Sequence, residues 1–566
     1  MHTDNMNYCP FCGSSIQGDF DFCPECGASL CDEGNGFEYR QKGILLTNSK
    51  LLAFKYCCPR IKVLQALSGI MHDAEDKGMQ WSLLDTADVM GDNSDQDWET
   101  VNDMISQFIE DHQLESGTAL SLLILGGDDV IPVPIIDDPY EGGEGVIPSD
   151  MCYSFDGRFL HDIVEGGDCD ISADLARNTV ARIPLEEGTM HTSMEEDLLS
   201  YFRRCNECAG EIAVSSVVMT SFSDWLGASS TMSQHLPLIC RQDDPELVRN
   251  GMYVSPKLLT INPDAIDIYK DSLRKGDLLM FNLHGSDDPE YPGFYSVDEA
   301  FSPELLRFTH AKVFNTVACF GARYYGYERE ESMLMRALLE NNVLLYTGSM
   351  VSVPMYYDYQ ANEARELLLN PGTGSEVFMR LYSLYQFKGM PAGYALLQAK
   401  CDYFNLCRHV ESDTFSLSTI LMFSLYGNPM LRLQERPDVI QSALSNGAVP
   451  AAPVKASAEV INRSKVRTLY SKVDKDDRPL VSLVRSAVDR NLEQIHGQIE
   501  KSLYGRFGLC EEMLDEVSSF ERRTPAGGWE KGYCFHYHNP AARFSSDFRI
   551  EADARGIIKR IYTTKR

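Results

Sequence analysis

Two short segments of this 566-residue chain carry groups that could do covalent chemistry. His284 and Gly285 follow the apolar run Leu278–Asn282, and Cys319 follows Val313–Val317 with Ala318 between. Hydrolysis by a thiol needs the sulfur nucleophile, a base to take its proton, and backbone donors for the oxyanion that forms on the substrate carbonyl. A His-Gly after one strand and an Ala-Cys after the next supply all three. A Cys after an apolar strand is ordinarily a packing residue, and an isolated His is ordinarily a satisfied polar one. Their placement at two successive strand ends, each with a glycine close by, shifts the balance to catalysis.

A second set of thiols suits a metal. Cys9-Pro10-Phe11-Cys12-Gly13 and Cys23-Pro24-Glu25-Cys26-Gly27 are paired C-x2-C knuckles. Two intervening residues let both sulfurs turn onto one ion, and the following glycine permits the tight turn. Four soft ligands in tetrahedral geometry fit zinc, and they leave no open coordination position, so the metal is expected to be structural. Cys205-Asn206-Glu207-Cys208 is a third such spacing, but it stands in a helical pattern without a second knuckle and is expected to be structural.

The elements that must position these residues are α/β. Leu51–Phe54 reads as a short buried strand, Lys62–Lys77 as an amphipathic helix, Trp81–Leu84 as a strand, Trp98–His112 as a helix and Leu122–Leu125 as a strand ending at Gly126-Gly127-Asp128. A second series has strands at Ser216–Thr220, Asp277–Asn282, Val313–Val317 and Val343–Tyr346. Alternation of strands and helices predicts parallel sheets, which place ligands at the carboxyl ends of their strands. His284 and Cys319 fall at such ends. The spacing divides the chain into a zinc ribbon (1–30), a linker (31–43), a first α/β subdomain (44–208), a catalytic α/β subdomain (209–435), a Pro/Ala/Ser-rich linker (436–460) and a C-terminal α+β domain (461–566). In that last domain Leu480, Val484, Val488, Leu492, Ile495, Ile499 and Leu503 line one face of a long helix, and Tyr533–His538 and Phe548–Tyr562 alternate as strands about a turn at Arg555-Gly556.

Composition narrows the function classes. The formal charge of -32 disfavours a nucleic-acid surface, which needs concentrated Lys and Arg, and is compatible with basic protein substrates. No apolar run reaches the length of a membrane span, and the first residues have no signal-peptide pattern, so no membrane partner is expected. Seventeen cysteines at irregular spacing suit buried thiols in a reducing compartment, and the chain is expected to be cytoplasmic.

The segments around His284-Gly285 and Ala318-Cys319, together with Ser332–Leu338, Gly348-Ser349 and Tyr426-Gly427-Asn428-Pro429, resemble those of the gingipain-type cysteine peptidases of the caspase-like clan. Upstream, Leu123–Asp128 with Ile131-Pro132, and Ala181–Pro184, resemble that family's first subdomain, so the likeness spans about residues 45–435. It implies a catalytic unit of two parallel-sheet α/β subdomains and an endopeptidase acting on proteins or peptides through a thioester acyl-enzyme. His284 would be the general base, Cys319 the nucleophile, and the N–H groups of Gly285 and Cys319 the oxyanion hole. An acidic residue orients the histidine in this family; Asp137, Asp138, Glu141 and Glu144 are candidates. The likeness further implies that Asp150, in Ser149-Asp150-Met151-Cys152-Tyr153, is the acid of the specificity pocket, giving cleavage after Arg or Lys. The alternative is a caspase-like scaffold or sensor without activity that binds a protein partner through the ribbon or the C-terminal domain.

Overall fold

The structure, a computed structural model, describes residues 42–89, 97–112, 114, 120–140, 145–155, 176–233, 235–239, 248–249, 251–254, 263–288, 292–296, 299–358, 374–407, 413–440, 513–523, 529–538, 547–553 and 556–564. The four knuckle cysteines and the apolar face at 480–503 lie outside these residues.

One sheet of eleven strands organises the catalytic unit. Across it run, in order, Gln80–Asp85, Lys42–Thr47, Leu120–Leu125, Asn178–Ile183, Phe423–Gly427, Leu345–Ser349, Val313–Thr316, Leu278–Asn282, Val217–Ser221, Met252–Val254 and Val248–Arg249. Leu120–Leu125 and Leu278–Asn282 are buried at every position. That is the pattern of a strand covered by helices on both faces, and it is why these stretches read as continuous apolar runs.

Phe423–Gly427 joins two parallel blocks. It pairs parallel with Asn178–Ile183 through Tyr426 and Arg182, and antiparallel with Leu345–Ser349. The blocks therefore run in opposite directions, and the carboxyl ends of the first face the sheet edge opposite to those of the second.

The sequence reading of Leu51–Phe54 as a strand is corrected. The strand is Lys42–Thr47, and Ser49–Lys55 is a helix. Asn48 caps it, its side chain accepting from the N–H groups of Lys50 and Leu51. A four-residue apolar run cannot by itself separate a strand from a buried helical turn, and the cap decides it.

A five-stranded antiparallel sheet is the second layer. Leu514–Arg523, Trp529–His538, Asp547–Asp553 and Ile558–Thr564 follow one another as a meander, with Gly556 at positive φ (80°) in the last turn. The fifth strand comes from the catalytic unit: Pro354–Asp358 pairs antiparallel with Ile558–Thr564. Phe535, Tyr537, Phe548, Ile550, Ala552, Ile558 and Ile561 form its core, and Trp225 of the catalytic unit is buried among them.

Candidate active site

The strands Leu278–Asn282 and Val313–Thr316 are parallel neighbours in register Leu278 with Val313 to Phe281 with Thr316. The Val317 N–H continues the pairing to the Phe281 carbonyl at 3.0 Å. Residues just past both strands must then meet. A Cβ placed on Gly285 would lie 1.8 Å from the Cys319 carbonyl oxygen and 2.9 Å from its carbonyl carbon. Only a glycine lets the His284 loop approach the Cys319 backbone this closely. Gly285→Ala is expected to force the two loops apart and lower kcat/KM by about 100-fold, since displacements near 1 Å at a reacting centre cost that much. Circular dichroism and steady-state kinetics on the variant check it: near-wild-type turnover in a folded protein would contradict this account of the contact.

Cys319 is fully buried. Its Sγ accepts a hydrogen bond from the Val353 N–H at 3.0 Å. A backbone donor aimed at sulfur stabilises negative charge developing there. The next residue, Phe320, has φ of 52°, a left-handed conformation that costs a side-chain-bearing residue energy and recurs at functional sites. It is held by its N–H bond to the Val351 carbonyl and by the Arg323 guanidinium 5.5 Å above its ring. The chain turns back here, and the Ala322 N–H bonds the Ser349 carbonyl.

His284 is 7% exposed and starts a short hairpin, pairing with Tyr295 as Gly285 does with Phe294. Its ring packs against two aromatic side chains that also touch each other, 4.5 Å from Trp225 and 5.0 Å from Phe222 between centroids, with Phe222 and Trp225 themselves 5.0 Å apart. These walls come from the loop after Val217–Ser221, the next strand of the sheet. Phe222 donates its N–H to the Asn282 carbonyl, and Asn282 Nδ2 donates to Ser229 Oγ at 2.9 Å. The sequence reading missed Phe222, Trp225 and Val353. The first two follow the carboxyl end of a parallel strand, so the rule that flagged His284 and Cys319 also applied to them.

Asp150 requires a correction. Its carboxylate is no open pocket acid: Oδ2 accepts from Arg182 Nε at 2.9 Å and Oδ1 from Arg182 Nη2 at 2.7 Å, both within the interior. Arg182 is completely buried and also donates to the carbonyls of Gly126, Gly127, Ile131 and Pro132. Arg182 lies near the carboxyl end of its strand in the first parallel block, and Ser149, beside Asp150, donates its hydroxyl to the Leu421 carbonyl. A buried guanidinium needs a carboxylate partner, and Asp150 fills that need. Burial lowers the neighbouring Lys400 amine to about 7 and raises the Cys152 thiol.

Of the acids considered for orienting the histidine, Asp137 ends the strand Ile135–Asp137, and Asp138 Oδ1 accepts from the Tyr140 N–H. Glu141 and Glu144 lie outside the described residues. Cys205 is buried in the helix Ser200–Glu207, and Cys208 follows as its cap, its sulfur accepting from Lys312 Nζ.

Successive ends of parallel strands thus bring a His-Gly against a Cys in a mostly parallel α/β unit. The chain belongs to peptidase family C25, the gingipain family, whose model matches residues 64–434, and with it to the cysteine peptidases. A zinc-ribbon domain matches residues 8–30. No curated protein matches the chain. Among solved structures, the complex of the pro- and mature domains of RgpB from Porphyromonas gingivalis is 13% identical, covering 69% of this chain and 80% of its own, with a TM-score of 0.43. A structure described only as a protease is 10% identical, covering 93% and 98%, with a TM-score of 0.44. Among the described residues, no helix is long and apolar enough to cross a membrane.

Proposed function

We propose that the chain is an endopeptidase in which Cys319 attacks the scissile carbonyl, His284 takes the thiol proton and returns it to the leaving amine, and water hydrolyses the thioester. The observation that carries this reading is the contact of Gly285 with the Cys319 backbone at the ends of adjacent parallel strands. The N–H groups of Gly285 and Cys319 are the proposed oxyanion donors.

Cleavage after Arg or Lys belongs to the same proposal, but with the acid elsewhere than Asp150. Asp287 and Asp288 follow His284 on its own loop and act electrostatically on Tyr327, beyond Cys319. They make this mouth favourable to a basic side chain. A peptide-library profile tests it: preference for Arg or Lys before the scissile bond supports the reading, and an acidic or apolar preference overturns it.

The ribbon is proposed to hold one structural zinc through Cys9, Cys12, Cys23 and Cys26, a donor set suited to that ion and to few others. A unit this small has little core, so the metal would supply most of its folding free energy. Elemental analysis is expected to give one zinc per chain, and stripping it should leave hydrolysis of a short peptide unchanged. Loss of peptide turnover with the metal would show that the ribbon acts on the catalytic unit. A protein partner for the ribbon or the C-terminal sheet is compatible with this peptidase reading.

A further inference from the structure

The C-terminal sheet reaches both halves of the site. Trp225 is 2% exposed, buried in the core of that sheet with Phe535, Ile550 and Ile561, while its indole lies 4.5 Å from the His284 imidazole. On the other side, Val353 gives its N–H to Cys319 Sγ, and the next five residues, Pro354–Asp358, pair with Ile558–Thr564. One module thus holds the residue beside the histidine and the strand leading away from the sulfur.

The loop carrying Trp225 is itself tied to the histidine strand. The Phe222 N–H bonds the Asn282 carbonyl at 2.9 Å, the Trp225 N–H bonds the Phe222 carbonyl at 3.0 Å, and Ser229 in the following helix receives the Asn282 amide. An imidazole that is buried and packed against a fixed pair of touching aromatic rings has few orientations open to it, and a base must meet its proton donor within a fraction of an ångström to act. The C-terminal strands cover the side of Trp225 that this loop leaves open.

We propose that Trp225 is a positioning residue for His284, and that the C-terminal sheet sets the catalytic dyad by clamping Trp225 and the Pro354–Asp358 strand together. The inference rests on the dyad reading. It makes the C-terminal strands a working part of the active site.

Kinetics on a basic fluorogenic peptide test it in the full-length chain. Trp225→Ala is expected to lower kcat by about 10- to 100-fold while KM changes by less than about threefold, because orientation and not substrate binding is lost. Trp225→Phe should recover most of the rate. Ile561→Asp, which disturbs the sheet's core without touching the dyad, should reproduce the kcat loss, and its combination with Trp225→Ala should be less than multiplicative. Unchanged kcat in Trp225→Ala, a loss confined to KM, failure of Trp225→Phe to recover the rate, or a rise in kcat in Ile561→Asp would each overturn the proposal. A wild-type chain inert towards every peptide would overturn the dyad reading instead. An active wild type with an indifferent Trp225→Ala variant would overturn this inference alone.

Discussion

Replacing Cys319 by alanine is expected to lower peptide hydrolysis by about 10,000-fold or more while leaving the fold in place, since the substitution removes the atom that forms the acyl-enzyme. The sulfur is fully buried and accepts a hydrogen bond from the Val353 N–H, so its loss leaves a small cavity and that N–H without this acceptor. Those costs are on the order of 1–2 kcal/mol, too small to unfold the unit. His284→Ala should fall to a similar floor, and the double variant no further, because nucleophile and base work as one device. Steady-state assays with thermal melts separate the two effects. Multiplicative losses in the double variant would mean that the residues act independently.

Asp150→Ala is expected to destabilise the protein by about 3–5 kcal/mol, because it leaves the buried Arg182 guanidinium without its carboxylate. Arg182 has both a Nε and a Nη2 bond to that carboxylate and is completely buried, so water cannot replace the lost charge. The preference between basic and apolar peptides, taken as a ratio of kcat/KM in the protein that remains folded, should stay as in the wild type. Asp150→Leu combined with Arg182→Met should regain most of the stability, since removing both charges avoids the uncompensated one. Urea unfolding and paired substrates measure these outcomes. Normal stability with a lost basic preference would reinstate Asp150 as the pocket acid.

Several features were legible in the sequence because they depend on local pattern. The central strands are buried at every position and mostly apolar, and covered strands leave that signature, so Leu278–Asn282 and Val313–Thr316 were placed to within a residue. Their parallel pairing then fixed where His284 and Cys319 fall. Asp150 was misread because its partner is 32 residues away and the motif gives no sign of it. Nor could strand periodicity show that Phe423–Gly427 reverses the direction of one block against the other. The same limit applies to the C-terminal strands. Their alternation was readable, but the pairing of Ile558–Thr564 with Pro354–Asp358 joins segments some two hundred residues apart and depends on backbone groups that every residue carries.

The most direct test of the dyad is to map a mechanism-based adduct. A short peptide ending in arginine and carrying an acyloxymethyl ketone reacts with an activated thiol held in a substrate site, and the chain offers seventeen cysteines among which it could choose. Digestion and tandem mass spectrometry of the labelled protein should place the adduct on Cys319, with labelling lost in Cys319→Ala and strongly reduced in His284→Ala. An adduct on a different cysteine, or labelling that persists in Cys319→Ala, would contradict the account.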